Sequence, residues 1–387
     1  MTFKAHAKHS RSFFICYGAC LALFVCVAAL GLVFGVSSAS RRMSTAKVLP
    51  AAAGAPLHVA DLDTPLPAAP AVSARAAALI DAKSGALLFG KNIDERLPMA
   101  STTKIMTALV VLETLPLDKI VTVPAEATRI EGSSIYLRAN EEITVEDLLY
   151  GLLLESGNDA AHTLAIACSG DIGSFAEQMN ARAAALGLQN TSFQNPHGLT
   201  AEGHFTTAEE LAYITAAALQ NPVFSEMVAT QKKVVPARDG SLTRYFSNHN
   251  KLLRYYDSAV GVKTGYTKAA GRCLVSAAER DGRLFVAVTL DDGNDWKDHT
   301  GMLDYAFENY ETIEIAAPGS FGVYIGGVRY ANPDGVYLTV PLGERPLLSY
   351  VCDITGELAV VHYYADGSSL GQFYLSPAGS RATPDVG

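Results

Sequence analysis

Positive charge is in short supply in this chain: 30 Lys and Arg stand against 39 Asp and Glu, a net charge of −9. No basic run is present to neutralise a phosphate backbone, which argues against nucleic acid as a partner. Cysteine is also scarce. Of six, Cys16, Cys20 and Cys26 fall in one apolar stretch, where cysteine acts as a small hydrophobe. The remaining Cys168, Cys273 and Cys352 are too few and too widely spaced for a disulfide framework, although one bridge is open to an exported protein. No C-x-x-C or H-E-x-x-H spacing offers a metal site, so neither a metal nor another cofactor is expected. There is one tryptophan and no internal repeat. With 49% hydrophobic and 18% charged residues over 387 positions, the chain nevertheless has material for two or three packed domains, which excludes a disordered or fibrous protein.

Only one hydrophobic run is long. Phe13 to Val36 carry no charge, a span of about 36 Å as a helix and enough to cross a hydrocarbon core. Lys4, Lys8 and Arg11 precede it, and Ser37-Ser38-Ala39 follow as a small-residue pattern that a signal peptidase cuts after Ala39. Residues 1–39 therefore read as an export signal, either cleaved or kept as an N-terminal membrane anchor. The run exceeds the roughly 7–15 apolar residues of an ordinary signal. Arg41, Arg42 and Lys47 balance the positive charges before it, so charge does not orient an anchor. Residues 40–74 shift to Ala and Pro and read as an extended tether.

Folded structure is expected from Arg75, beginning with a hairpin around Asp81-Ala82-Lys83-Ser84-Gly85. Helical patterns follow at Ser101–Thr114, Thr144–Glu155, Asn158–Cys168, Ser174–Leu186 and Thr207–Gln220. Thr144-x-x-Asp147 and Thr207-x-x-Glu210 supply capping boxes. Strands are expected at Gly261–Thr267, Arg272–Glu279 and Arg283–Leu290, then a helix at His299–Tyr310. Hairpin-linked strands framing a block of helices predict an α+β fold on an antiparallel sheet. Residues 318–375 are Gly-punctuated and β-branched or aromatic, which predicts a small all-β C-terminal domain. Residues 376–387 form a polar tail without an amphipathic pattern.

Three short motifs carry chemistry. Ser101-Thr102-Thr103-Lys104 opens a helix, and the i, i+3 spacing lets the Lys104 amine reach the Ser101 hydroxyl. A serine needs a base to become a nucleophile, and a lysine serves only if burial or nearby cations keep it partly neutral. Ser156-Gly157-Asn158 lies at a turn between helices, where the Ser156 hydroxyl can relay a proton and the Asn158 amide can orient a carbonyl or Lys104. Lys263-Thr264-Gly265 lies on a strand: the lysine adds positive field, the threonine binds a carboxylate, and the glycine lets a peptide lie against the backbone. Singly, each has a plainer explanation as a helix cap or a solvated edge strand. Ser44-Thr45-Ala46-Lys47 even repeats the first motif within the tether, where nothing buries the lysine. Together, in this order and on these elements, the three exceed coincidence.

The three motifs are the signature shared by class A β-lactamases and penicillin-binding proteins. Ala100–Ala108, Glu155–Ala161, Asn195-Pro196-His197-Gly198-Leu199, Asn248–Leu253 and Gly261–Thr267 resemble the D-alanyl-D-alanine carboxypeptidases, the low-molecular-mass penicillin-binding proteins. The resemblance covers about residues 75–315, with weaker likeness beyond 318. It implies a β-lactamase/transpeptidase-like antiparallel sheet flanked by helices, and an enzyme that trims peptidoglycan stem peptides and is acylated by β-lactams. In that role Ser101 attacks the carbonyl between two terminal D-alanines, Lys104 is the general base and Ser156 passes the proton to the departing D-alanine. Backbone N–H groups of Ser101 and Tyr266 form the oxyanion hole. Lys263 and Thr264 hold the terminal carboxylate, with Asn158 and Gly265 completing the substrate cleft.

Some features depart from the family. Many relatives carry a carboxylate-binding arginine a little after the strand that follows K-T-G; here the stretch is Asp292-Gly293-Asn294-Asp295-Trp296-Lys297-Asp298, so either Lys297 substitutes or the role is absent. Trp296 either lines the cleft or packs. His162 and His197 have no obvious catalytic task beside a serine–lysine pair. The family's usual C-terminal amphipathic membrane helix is not evident after Ser376, which favours the N-terminal run as an anchor. A β-lactamase or transpeptidase of the same fold, or a penicillin sensor without turnover, shares the motifs. A β-lactamase needs a separate base for deacylation, and the sequence offers no clear counterpart.

Overall fold

The structure, a computed structural model, describes residues 68–355, 358–365 and 368–378. The apolar run at 13–36, the Ser44–Lys47 repeat of the serine–lysine motif, most of the Ala/Pro stretch and the polar tail from residue 379 lie outside the described residues. No helix among the described residues is long and apolar enough to cross a membrane.

The first strands, β1 (Ala76–Asp81) and β2 (Leu87–Lys91), form the expected hairpin. A 3₁₀ turn over Ala100–Thr103 leads into α1 (Lys104–Thr114). A small ribbon of β3 (Ile120–Thr122) and β4 (Glu142–Thr144) precedes α2 (Val145–Leu154), α3 (Asn158–Ser169), α4 (Ile172–Ala185), α5 (Ala208–Leu219) and α6 (Pro222–Ala229). A second ribbon, β5 (Lys232–Pro236) with β6 (Thr243–Ser247), and the short α7 (Leu252–Tyr255) come next. The chain then returns to the main sheet as β7 (Ala259–Thr267), β8 (Gly271–Arg280) and β9 (Arg283–Leu290), followed by α8 (Asp295–Asn309).

The main sheet is antiparallel, in the order β2-β1-β9-β8-β7. Both of its faces are covered. Ala76, Ala78 and Ile80 join the core built with the α1–α6 block, whereas Ala77 and Leu79 pack with Met302, Leu303 and Ala306 of α8. Burial on two sides explains why β1, β8 and β9 read as continuous apolar runs without alternation. Among the described residues β7 is an edge strand, paired with β8 alone.

The expected helix starts are present. Thr144 Oγ1 accepts from the Asp147 N–H at 3.1 Å and Thr207 Oγ1 from the Glu210 N–H at 3.1 Å. Two helices begin earlier than their apolar periodicity suggests. α4 starts at Ile172 because Asp171 caps it, its Oδ1 accepting from the Ser174 N–H at 2.9 Å, and α8 starts at Asp295. α6 and the β5–β6 ribbon were not anticipated, although Asn221 followed by Pro222 is a legible start signal for the helix. Cys168, Cys273 and Cys352 are free thiols.

The C-terminal part is all β. β10 (Tyr310–Ala316) pairs with β13 (Val336–Pro341). β11 (Gly322–Ile325), β12 (Val328–Ala331), β14 (Leu348–Thr355), β15 (Leu358–Ala365) and β16 (Ser368–Pro377) form a sheet ordered β11-β12-β16-β15-β14. Tyr330, Leu338, Val340, Val361, Tyr363 and Phe373 fill its core. A division at residues 315–318 separates β10 from its own partner, so the all-β part starts at Tyr310 by strand pairing.

Asp81, at the end of β1, ties the two parts together. It is fully buried. Its Oδ2 accepts from Thr312 Oγ1 at 2.5 Å and Thr339 Oγ1 at 2.8 Å, and its Oδ1 from the Lys83 N–H at 2.8 Å. Asp81→Ala leaves the Thr312 hydroxyl of β10 without its acceptor and takes from Thr339 of β13 one of its two partners, Ser84 Oγ remaining at 2.5 Å. The expected outcome in urea unfolding is a loss of about 3 kcal/mol, with the strands after Tyr310 cleaved first in limited proteolysis.

Candidate active site

Ser101 sits in the 3₁₀ turn that starts α1, and its surroundings fix that turn from several sides. Ala100 has φ +48°, uncommon for a residue with a Cβ. Thr102 Oγ1 donates to Met99 O at 2.6 Å and Thr103 Oγ1 to Ala100 O at 2.8 Å. Gly198, at φ +86°, lies so close that an added Cβ would fall 1.8 Å from Ala100 O. His204 Nδ1 accepts from the Gln194 N–H at 3.0 Å, which places its proton on Nε2 for donation to Thr103 Oγ1 at 2.8 Å. Burial and the Lys104 charge push His204 down to about 4.

Lys104 is fully buried. Its Nζ lies 2.9 Å from Ser101 Oγ, 2.7 Å from Asn158 Oδ1 and 2.6 Å from the His197 carbonyl oxygen. Burial holds its pKa well below the usual lysine value, and the Lys263 charge adds to the effect while Asp159 opposes it. Three acceptors surround the nitrogen, so an ammonium can donate to all of them and a neutral amine to two. In the neutral form that burial favours, N–H bonds to Asn158 and His197 would leave the lone pair for the Ser101 hydroxyl proton. Asn158 is itself fixed, its Nδ2 donating to Glu131 O at 2.6 Å, which leaves Oδ1 for the lysine. Asp159 holds the adjoining loop by accepting from the Ile135 and Leu137 N–H groups and from Ser134 Oγ.

The Ser156-Gly157-Asn158 turn joins α2 to α3. Ser156 has φ +64° and is 5% exposed, and among the described residues its Oγ has no hydrogen-bond partner. A strained serine that is buried and unsatisfied is poor structural economy, and such positions cluster at functional sites. Gly157, not Ser156, is the residue that caps α3.

β7 supplies the facing wall. Lys263 is buried, and desolvation pushes its ammonium down to about 7 against the pull of Glu155. Its Nζ donates to Thr264 O at 3.0 Å. A Cβ on Gly265 would lie 3.0 Å from Ser101 N, so the glycine is what lets the edge strand approach the serine. Tyr266 follows with its ring exposed. Glu155 lies behind this wall, its Oε1 accepting from the Ser247 N–H at 2.5 Å and its Oε2 lying 3.4 Å from His249 Nε2.

The structure therefore brings Ser101, Lys104 and Asn158 into direct contact, with Gly265 against the serine. It does not bring Lys297 there. Lys297 is on α8, across the sheet from α1, beside a cleft with Ala68, Pro70 and Glu308. Trp296 packs in the α8 core with Lys251 over its ring. The ring of His197 is pushed down to about 3 by burial and its Nδ1 accepts from the Leu199 N–H, so its contribution to the site is its carbonyl. The His162 Nδ1 has no partner among the described residues, and its link to the cluster is a charge effect on the His197 ring. Sequence reasoning missed His204, Asp159 and the Glu155–His249 pair; their partners are distant in the chain and no local spacing marks them.

A helix-opening serine held by a buried lysine, a serine–glycine–asparagine turn and a lysine–threonine–glycine edge strand define the active-site-serine, penicillin-recognising class. The family model for D-alanyl-D-alanine carboxypeptidases matches residues 64–294, and the chain belongs to this family of serine peptidases. It is 38% identical over 248 residues to the D-alanyl-D-alanine carboxypeptidase DacF of Bacillus subtilis, an alignment covering 62% of this chain and 63% of DacF. With DacA of Escherichia coli it shares 33% over 324 residues, 76% of this chain and 78% of DacA. Among solved structures, penicillin binding protein 5 from Haemophilus influenzae superposes with a TM-score of 0.68 at 26% identity, covering 80% of this chain and 98% of that one. The Streptomyces K15 DD-transpeptidase gives 0.59 at 33%, covering 62% and 99%. The family works on peptidoglycan stem peptides outside the cytoplasm and binds β-lactams.

Burying Lys263 has a signature in stability. Its pKa is lower folded, about 7, than unfolded, near 10.5, so between these values the unfolded chain binds the extra proton and stability rises with pH. Urea unfolding of the intact protein is expected to show this rise between about pH 7 and 10.5. In Lys263→Met the rise is smaller and stability at neutral pH is higher.

Proposed function

We propose that the protein is a serine-type D-alanyl-D-alanine carboxypeptidase acting through an acyl-enzyme on Ser101. The observation that carries this reading is the buried Lys104 amine within hydrogen-bond reach of Ser101, Asn158 and the His197 carbonyl. As Ser101 Oγ attacks the carbonyl carbon between the two D-alanines, Lys104 takes the hydroxyl proton. The N–H groups of Ser101 and Tyr266 hold the oxyanion, and preorganised donors of this kind are worth roughly 2.7–4 kcal/mol each. The carbon–nitrogen bond breaks as Ser156 Oγ relays a proton to the departing amine, and D-alanine leaves. Water then attacks the ester, the proton returns to Ser101, and the shortened peptide is released.

Lys263 and Thr264 hold the substrate's terminal carboxylate, and Gly265 lets the peptide lie along the open edge of β7. A β-lactam, whose amide mimics the same carbonyl and whose carboxylate fits the same pair, acylates Ser101 and resists hydrolysis. Residues 1–39 export the chain, 40–74 tether it, 75–315 carry the chemistry and 318–375 form an appended β domain, joined to the end of the catalytic part by the β10–β13 pairing. The protein then works at the outer face of the cell membrane, or in the wall if the signal is removed.

Ser101→Ala is expected to abolish both D-alanine release from a D-Ala-D-Ala peptide and covalent labelling by penicillin. Retention of either defeats the proposal. Ser156→Ala should lower kcat by about 10²–10⁴-fold while urea unfolding stays close to that of the parent. An acyl-enzyme that hydrolyses penicillin faster than it turns over peptide would make the protein a β-lactamase. N-terminal sequencing of protein recovered from cells separates a released form, beginning at Ser40, from an anchored one, beginning at Met1 or Thr2.

A further inference from the structure

Behind the β7 wall lies a separate cleft of about 410 Å³ between the start of β5, the end of β6 and α7. Lys232, Arg254, Ser247, Asn248 and Asn250 line it, and Ser101, Lys104 and Lys263 do not. Its shape is fixed by hydrogen bonds. The Gln231 side chain donates to Leu253 O at 2.9 Å, joining β5 to α7, and the Asn248 N–H donates to Gln231 O at 2.9 Å. Asn248 Nδ2 donates to Val228 O at 2.9 Å, while its Oδ1 accepts from the Asn250 N–H at 2.8 Å. His249, between the two asparagines, turns instead toward Glu155.

Asn250 is the informative residue. It is 1% exposed, and its Oδ1 accepts from the Leu252 N–H at 3.0 Å, which fixes which end of the amide is which. That leaves Nδ2 as a buried donor without a partner among the described residues, on a residue that lines the cleft. An unsatisfied buried amide costs free energy unless something fills its hydrogen bond. The other strong donors here are Lys232 and Arg254. Both are exposed, and among the described residues neither has a carboxylate within ion-pair distance. Two uncompensated cations and an unused N–H donor, with no carboxylate in the lining, match an oxyanion and repel a cation.

We propose that this cleft is an anion-binding subsite, separate from the Ser101 site, that takes a carboxylate or a phosphate group. The same donors serve either anion, since each presents acceptor oxygens to a guanidinium, an ammonium and an amide.

The test is a titration of the full-length protein at constant ionic strength, once with inorganic phosphate and once with N-acetylglutamate, following the Asn250 side-chain amide and the Arg254 Nε signals by NMR. The expected result is a saturable shift of both signals, weakened at least about tenfold in a Lys232→Gln/Arg254→Gln double variant and retained in Lys263→Gln. The two glutamines replace exposed side chains, and unchanged thermal unfolding checks that the fold is intact. Tighter binding of N-acetylglutamate identifies a peptide carboxylate as the ligand, and tighter binding of phosphate a phosphorylated polymer; either supports the subsite. It is overturned if neither anion gives a saturable shift, if the double variant binds as well as the parent, or if Lys263→Gln abolishes the shift.

Discussion

The site depends on keeping one lysine amine out of water. A lysine near a serine on an exposed helix is an ammonium and has no lone pair to accept a proton. Here Lys104 is enclosed by α1, by the Asn158 end of α3 and by the His197 carbonyl, and this enclosure shifts its protonation toward the neutral form. Much of the surrounding structure serves it. Gly198 lets the 195–199 loop press onto the 3₁₀ turn, His204 fixes Thr103 within that turn, and Asp159 pins the loop that holds Asn158. Strained backbone at Ala100 and Ser156 is tolerated because this packing over-determines both residues.

A second lysine complicates matters, because the two make opposite demands. In the proposed mechanism Lys104 has to lose its proton, whereas Lys263, as the proposed carboxylate binder, has to keep one. The Lys263 charge helps the first, and burial hinders the second. Glu155 shifts the balance by favouring the charged form of Lys263. It immediately precedes Ser156 and accepts from the Ser247 N–H, so one carboxylate both anchors the turn to β6 and biases the field around β7. Asp159 attracts the Lys104 proton in the same way, but desolvation outweighs it.

What was legible in the sequence was what short range determines. The i, i+3 spacing of Ser101 and Lys104, the Thr144 and Thr207 caps and the apolar runs of β8 and β9 are local, and they appear in the structure where the sequence placed them. The rest depends on long-range contact. His197 meets Lys104 through a backbone carbonyl, which any residue type would supply, so its identity carried no signal. The β5–β6 ribbon was missed because Lys232–Pro236 and Thr243–Ser247 are short and only half apolar; Val235, Arg244 and Phe246 are buried only once the ribbon lies against the helices. Lys297 looked available because its sequence neighbourhood matched, but helix periodicity put it on the solvent side of α8, across the sheet from Lys104.

The placement of the appended segments follows from β1, which is covered on both faces. Just before its start, Ser73 is clamped by two buried carboxylates, its N–H and hydroxyl going to Asp298 Oδ2 and its hydroxyl also to Asp292 Oδ1. At its other end Asp81 takes the threonines of β10 and β13. The segment entering the domain and the all-β part that follows it are thus both attached through β1. In the order β2-β1-β9-β8-β7 that strand is three positions from β7, about 14 Å at the usual strand spacing. Neither attachment uses β7 or α1. The β7 edge of the sheet, with Gly265 against Ser101, therefore owes its geometry to the helical block and to β8, and neither the entering segment held at Ser73 nor the all-β part held at Asp81 draws on it.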